Sequence, residues 1–272
     1  MKIISAPRIN AFGKKGPEEM ADKVLMKLGV DAEKIDIDNS DIDNSEKMIY
    51  LRAKEIFKDN EKVVFVGGDH SITYPIFKAF SEKNKNAFLI VFDAHADCMP
   101  PMKEPTHEEF LRAIIEGGFD ASKIILVGAR KFEDVEKKFL EDNGVKVFGD
   151  AHASVSSDEG RIKNPYSSFN KSQDEGNIKI IADYISERAN GMDVYVSVDI
   201  DVLDPAFAPA VNYPEPNGLS SRELFYLLKR IFCIKSLKAL DVVEVVPEKD
   251  EKYNYRTVNV AVKVVQEFLK NE

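Results

Sequence analysis

The sequence predicts an α/β fold: a mainly parallel sheet with helices on both faces. Three observations support this. Strand-length apolar runs alternate with helical segments along the chain. Several runs, Ala87-Phe88-Leu89-Ile90-Val91-Phe92 above all, show neither helical period nor polar alternation, as strands buried on both faces do. Charged and imidazole side chains gather directly after those runs, at the edge where open α/β sheets bind ligands.

In chain order, residues 2–5 read as a first strand. Gly16-Pro17-Glu18-Glu19 opens a helix to about Leu28-Gly29, with proline and acids in its first turn. The acidic stretch 31–44 reads as a short edge strand followed by a loop, with a metal-binding loop as the lesser alternative. A helix over 45–58 carries Met48, Leu51, Ile56 and Phe57 as apolar positions. Strand 62–66 runs into Gly67-Gly68-Asp69-His70-Ser71, and a helix over 74–83 leads to strand 87–92. A proline loop and a helix near 108–117 follow, then strand 123–127, a helix over 133–143 closed by Gly144, and strand 145–148. Residues 150–176 are rich in Ser, Asn, Asp, Gly and Lys and read as a polar surface insertion. Helix 178–189, strand 193–198, a proline-rich loop over 204–216, a helix capped by Ser220 or Ser221, strand 238–243 and helix 256–270 complete the chain. No internal repeat or domain boundary stands out, so residues 1–272 read as one domain.

Composition narrows the function classes. A net charge of −9 argues against non-specific nucleic-acid binding. No apolar run reaches the roughly 18 residues of a membrane span. The polar start gives no sign of a signal peptide, and Cys98 and Cys233 stand in no metal or redox spacing, which together suggest a reducing cytoplasm.

Four strand ends carry polar chemistry: Asp69-His70, Asp93/His95/Asp97, Asp199/Asp201 and Glu244. A parallel sheet brings all of them to one edge. Each such group alone reads as a turn, a cap or a packed core residue. Together they would be a prohibitive burial unless a cation neutralises them. Mixed aspartate and imidazole ligands suit Mg, Mn, Zn, Fe or Ni, and six ligands exceed what one structural zinc uses. A pair of ions about 3.5–4 Å apart can acidify a bridging water for hydrolysis.

These motifs resemble those of the ureohydrolase superfamily: arginase, agmatinase, formiminoglutamase and relatives. The matching stretches are Gly67-Gly68-Asp69-His70-Ser71, Asp93-Ala94-His95-Ala96-Asp97 and the run from Ser197-Val198-Asp199-Ile200-Asp201 to Asp204-Pro205. Val127-Gly128-Ala129-Arg130 and Asp241-Val242-Val243-Glu244 match more weakly. The resemblance implies a three-layer α/β/α, arginase-like fold and two Mn²⁺ per subunit. His70, Asp93, Asp97 and Asp199 would hold one ion; Asp93, His95, Asp199 and Asp201 would hold the other. A metal-bridging hydroxide would then cleave a small guanidino substrate to urea and an amine. Glu244 falls where the family pairs a carboxylate with the guanidinium. His107 falls where it places a mobile-loop histidine that moves protons. A homo-oligomer, trimer or hexamer, is also implied.

Departures set the expected specificity. The loop over 98–106 lacks the Asn and Ser with which arginases read an amino acid, and Lys103 there reads as solvated. Asn212 and Tyr213 replace a run of small residues and could line or narrow the pocket, and Glu133 stands near a substrate-reading acid. An agmatinase-like hydrolase is therefore expected. The alternatives are arginase- or formiminoglutamase-type activity on an amino-acid substrate, or a non-catalytic metal-binding relative. His152 reads as a surface residue and Cys98 as an inert neighbour.

Overall fold

The computed structural model describes residues 1–10, 14–149 and 174–270, and the backbone alone at 174–177. Most of the expected insertion, including His152, lies outside the described residues. Among those described, eight strands form one parallel sheet in the order β2-β1-β3-β8-β7-β4-β5-β6. They are β1 Lys2–Ala6, β2 Glu33–Lys34, β3 Val63–Gly67, β4 Ala87–Phe92, β5 Ile124–Val127, β6 Lys146–Phe148, β7 Asp193–Asp199 and β8 Leu237–Val243. The helices between them are α1 Met20–Leu28, α2 Ile42–Asp59, α3 Thr73–Lys83, α4 Phe110–Glu116, α5 Asp134–Asn143, α6 Asp174–Arg188, α7 Ser221–Phe232, the single turn α8 Pro247–Asp250, and α9 Arg256–Leu269.

The sheet is covered on both sides, giving the three layers. Along β4, Phe88, Ile90 and Phe92 enter a core shared with α1, α6, α7 and α9. Ala87, Leu89 and Val91 enter the opposite core, with α2, α3 and α4. The period of two across a fully buried strand explains the unbroken apolar run. Each large aliphatic or aromatic side chain so buried contributes about 1.5–3 kcal/mol.

Local signals explain most boundaries. Gly144 ends α5 in the left-handed conformation, at φ 70°. Ser220 caps α7 by accepting from Glu223 N, and the Glu223 carboxylate in turn accepts from Ser220 N. α2 differs from expectation. Asp41 caps it and it starts at Ile42, so Ile49, Ala53, Ile56 and Phe57 face inward while Met48 and Leu51 are exposed. No helix among the described residues is long and apolar enough to cross a membrane.

The strand order places the site. β3, β8, β7 and β4 are adjacent at the centre of the sheet, although β7 and β8 come last in sequence. Their C-terminal ends bring Asp69-His70, Glu244, Asp199/Asp201 and Asp93–Asp97 side by side.

Candidate metal centre

β4 ends at Phe92, and the next residue begins the site. Asp93 is 1% exposed and offers one oxygen to each of two histidines. His70 Nδ1 is 2.8 Å from Asp93 Oδ2, 3.2 Å from Asp97 Oδ2 and 3.3 Å from Asp199 Oδ2. His95 Nδ1 is 2.9 Å from Asp201 Oδ2 and 3.4 Å from Asp93 Oδ1. Two groups with ligand spacing result, His70/Asp93/Asp97 and Asp93/His95/Asp201, and they share Asp93. Asp199 belongs to neither at that spacing, but its Oδ2 faces His70.

Backbone bonds hold the carboxylates in place. Asp93 Oδ1 accepts from His95 N, Asp199 Oδ1 from Asp201 N, and Asp201 Oδ1 from Ala94 N. Asp97 and Glu244 have φ of 49° and 70°, left-handed values that non-glycine residues adopt at a cost of about 1–2 kcal/mol. Gly68 has to be glycine for another reason: a Cβ there would collide with the Arg8 carbonyl.

The electrostatics call for a cation. Burial opposes a charge on His70, yet Asp199, Asp93 and Asp97 raise its basicity well above the usual imidazole range. Burial likewise opposes a charge on His95, and Asp201 and Asp93 outweigh it. Burial pushes the Asp93 carboxyl up, but His70 and His95 hold it well below the usual carboxylate range. Asp97 and Asp199 go the other way, raised by burial and then by neighbouring carboxylates. One imidazolium proton cannot serve three carboxylates. His70 Nδ1 and Asp93 Oδ2 are buried without a hydrogen-bond partner, although they face each other. These two residues would hold a divalent ion that satisfies both atoms, and oxygen-rich donors with two imidazoles fit Mn²⁺ and similar ions.

The centre opens into a cavity of about 310 Å³. Glu244 lies on its wall, its Oε1 accepting from His70 N at 3.0 Å. Burial and the charge of Asp69 raise its carboxyl to about 8. Lys249 acts on it electrostatically, without an ion pair at contact distance among the described residues. His107 lines the same cavity, 5% exposed, its ring stacked on Tyr213 at 5.3 Å. Its loop is well braced. Glu109 Oε2 accepts from Met102 N and Thr106 N, Met99 N donates to Glu108 O, and Asn10 Nδ2 donates to Glu104 O and Pro105 O.

Two expected substrate readers fare differently. Asn212 is not among the lining residues; Lys249 Nζ donates to its Oδ1 at 2.7 Å, and Tyr213 takes the wall instead. Glu133 reaches the lining, but as the exposed N-cap residue of α5. The buried acid beside it is Glu136, which accepts from Cys98 N and Glu133 N. Only the capping-box spacing Glu133-x-x-Glu136 could have indicated it. Burial and the nearby Glu136 and Asp97 raise the Cys98 thiol well above its usual range, which disfavours a thiolate there. Lys103 is solvated, and Asp204 orders its loop by accepting from Ala206 N and Asn217 N.

A parallel α/β sheet with paired His/Asp clusters at its C-terminal edge and a cavity over them defines a candidate metal-dependent hydrolase. The profile of the Arginase family matches residues 13–270, and the chain belongs to that family. It is 31% identical over 229 residues to proclavaminate amidinohydrolase of Streptomyces clavuligerus, covering 81% of this chain and 66% of that protein. It is 30% identical to N(1)-aminopropylagmatine ureohydrolase of Thermus thermophilus, covering 86% and 76%. It is 31% identical to arginase 1 of Arabidopsis thaliana, covering 95% and 69%. The solved structure of the Streptomyces enzyme superimposes with a TM-score of 0.82, covering 99% of this chain and 90% of that one, at 25% identity.

Proposed function

We propose that the chain is a binuclear manganese ureohydrolase that cleaves a guanidino compound, agmatine first among candidates, to urea and an amine. The observation that carries this is Glu244: a buried carboxylate, raised by burial and by Asp69, on the cavity wall beside the His70 cluster. A planar guanidinium satisfies it with two parallel charge-assisted bonds and brings the carbon over the centre. Two divalent ions held by His70, Asp93, Asp97, Asp199, His95 and Asp201 would acidify a water at neutral pH and so supply the nucleophile. His107 stands in the cavity within a braced loop, suited to giving a proton to the departing amine nitrogen. Tyr213, stacked on it, holds its ring plane.

The rest of the lining supports a substrate with a cationic far end. Glu108, Glu133 and Glu136 face the cavity against a single lysine, Lys131, which lies 3.8 Å from Glu133. That balance favours an amine over an α-carboxylate, and agmatine carries an amine. Lys131 supports the second reading, an amino-acid substrate whose carboxylate it would hold. The relatives' names span amidino, polyamine and amino-acid substrates at nearly equal identity, so they do not choose.

The test is release of urea, or formamide for a formimino compound, by manganese-loaded protein offered agmatine, arginine, guanidinobutyrate and formiminoglutamate. Turnover of agmatine above the rest is expected. Turnover of arginine alone would overturn the agmatinase reading, and two bound ions with no turnover would favour a non-catalytic relative. We also propose a trimer or hexamer, checked by light scattering.

A further inference from the structure

Behind His70, on the side away from the carboxylate cluster, a chain of hydroxyl groups runs into the sheet. His70 Nε2 lies 2.9 Å from Ser197 Oγ. Ser197 Oγ donates to Asp241 Oδ1 at 2.6 Å. The other oxygen, Asp241 Oδ2, accepts from Tyr195 OH at 2.6 Å and from Thr73 Oγ1 at 2.9 Å. Ser197, Asp241, Tyr195 and Thr73 are fully buried. The sheet makes this possible. β7 and β8 pair Ser197 with Asp241 in register, and the alternation of β7 puts Tyr195, Ser197 and Asp199 on one face.

The donor count fixes the direction of the chain. A hydroxyl has one hydrogen, and both Asp241 oxygens accept here, from Ser197, Tyr195 and Thr73. Ser197 gives its hydrogen to Asp241, so it presents only lone pairs to His70. The imidazole hydrogen must then sit on Nε2. A neutral histidine protonated there has a bare lone pair on Nδ1, the atom that faces Asp93, Asp97 and Asp199. Phe110, whose ring centre is 4.1 Å from that of His70, packs against the ring but cannot select the tautomer. Among the described residues His95 has no comparable support: its Nε2 faces Glu215, 3.9 Å away, and its side chain is 22% exposed.

We propose that Asp241, acting through Ser197, is a positioning residue that holds His70 with its Nδ1 lone pair aimed at the cation of the His70/Asp93/Asp97 cluster. The two ion sites are therefore unequal, and only the His70 site depends on the relay. The inference rests on the metal-centre reading proposed above.

The test uses the full chain, stripped by chelation and titrated with Mn²⁺ by isothermal calorimetry. The unmodified chain binds two ions. Ser197→Ala and Asp241→Asn each weaken one ion by about 10–100-fold, the range expected when a ligand's outer partner is lost, and leave the other unchanged. Tyr195→Phe removes a different donor to Asp241, so it lowers the melting temperature but leaves both affinities as they were. In the zinc-loaded protein, ¹⁵N NMR shows His70 protonated at Nε2, and Ser197→Ala changes that signal. If Asp241→Asn fails to fold, Ser197→Ala still decides. Unchanged affinity for both ions in Ser197→Ala, or equal weakening in Tyr195→Phe, overturns the relay. Failure of the unmodified chain to bind any ion would instead defeat the metal-centre reading itself.

Discussion

At the scale of single residues, Glu244 and Asp93 have opposite needs. His70 and His95 pull the Asp93 carboxyl down against its burial, whereas burial and the charge of Asp69 push Glu244 up by more than His70 offsets. Replacing Glu244 with Gln keeps its shape and removes the charge that would orient a guanidinium. A fall in kcat/KM of about 10²-fold or more with both ions retained is expected, read by steady-state kinetics and metal analysis. A second prediction concerns Glu46, which pairs with the fully buried Arg8. Burial raises its carboxyl above the ordinary 4.5, and Arg8 only partly offsets that. The folded chain thus holds the Glu46 proton at pH values where the unfolded chain has lost it. This contribution to stability is full below 4.5 and declines as pH rises through the folded value. Thermal melts across that range should show a shallower decline in Glu46→Gln than in the unmodified chain, because the neutral amide has no proton to lose.

Which residues could be found in the sequence follows from where they sit. The aspartates and histidines that follow buried strands stand out, because a charge next to an apolar run demands a reason. Ser197 and Asp241 are inside strands, and only the register of β7 against β8 shows that they meet. Asp241 gave one hint, a carboxylate among apolar residues of β8. Of Asn212 and Tyr213, both singled out in the sequence, Tyr213 lines the cavity and Asn212 does not, since loop backbone direction decides which faces inward and no periodicity reports it.

At the scale of elements, loops matter more than helices. Arg130, just past β5, donates to the carbonyls of Gly128, Asp201, Val202, Leu203, Glu215 and Pro216. It ties the end of β5 to the segment that carries Asp201 and Tyr213. Arg130→Ala leaves several of those carbonyls without a partner and should cost about 3 kcal/mol. Faster hydrogen exchange over 201–216 and weaker ion binding should accompany it. Turnover, exchange and ion binding all unchanged would refute the latch. Helix ends were legible at Gly144 and Ser220, where cap chemistry is local. The buried face of α2 was not, because Met48 and Leu51 are as apolar as the residues that face inward and only packing decides among them.

At the scale of the whole molecule, alternation of strands and helices announced a parallel sheet, and that sheet is present. Strand order was hidden, because insertion of β7 and β8 between β3 and β4 is a long-range choice with no local signature. That insertion assembles the centre from residues distant in sequence. We propose that the chain unfolds as one unit, giving a single calorimetric transition. Chelation should lower its midpoint, because the clustered carboxylates then repel one another and bound ions no longer favour the folded state. The most direct measurement is the manganese content of the purified, loaded chain, for the unmodified protein and for Asp93→Ala, which removes the carboxylate shared by both clusters. Two ions per chain, falling to one or none in Asp93→Ala, are expected; one ion or none in the unmodified chain, or two retained in the variant, would contradict a binuclear centre built on Asp93.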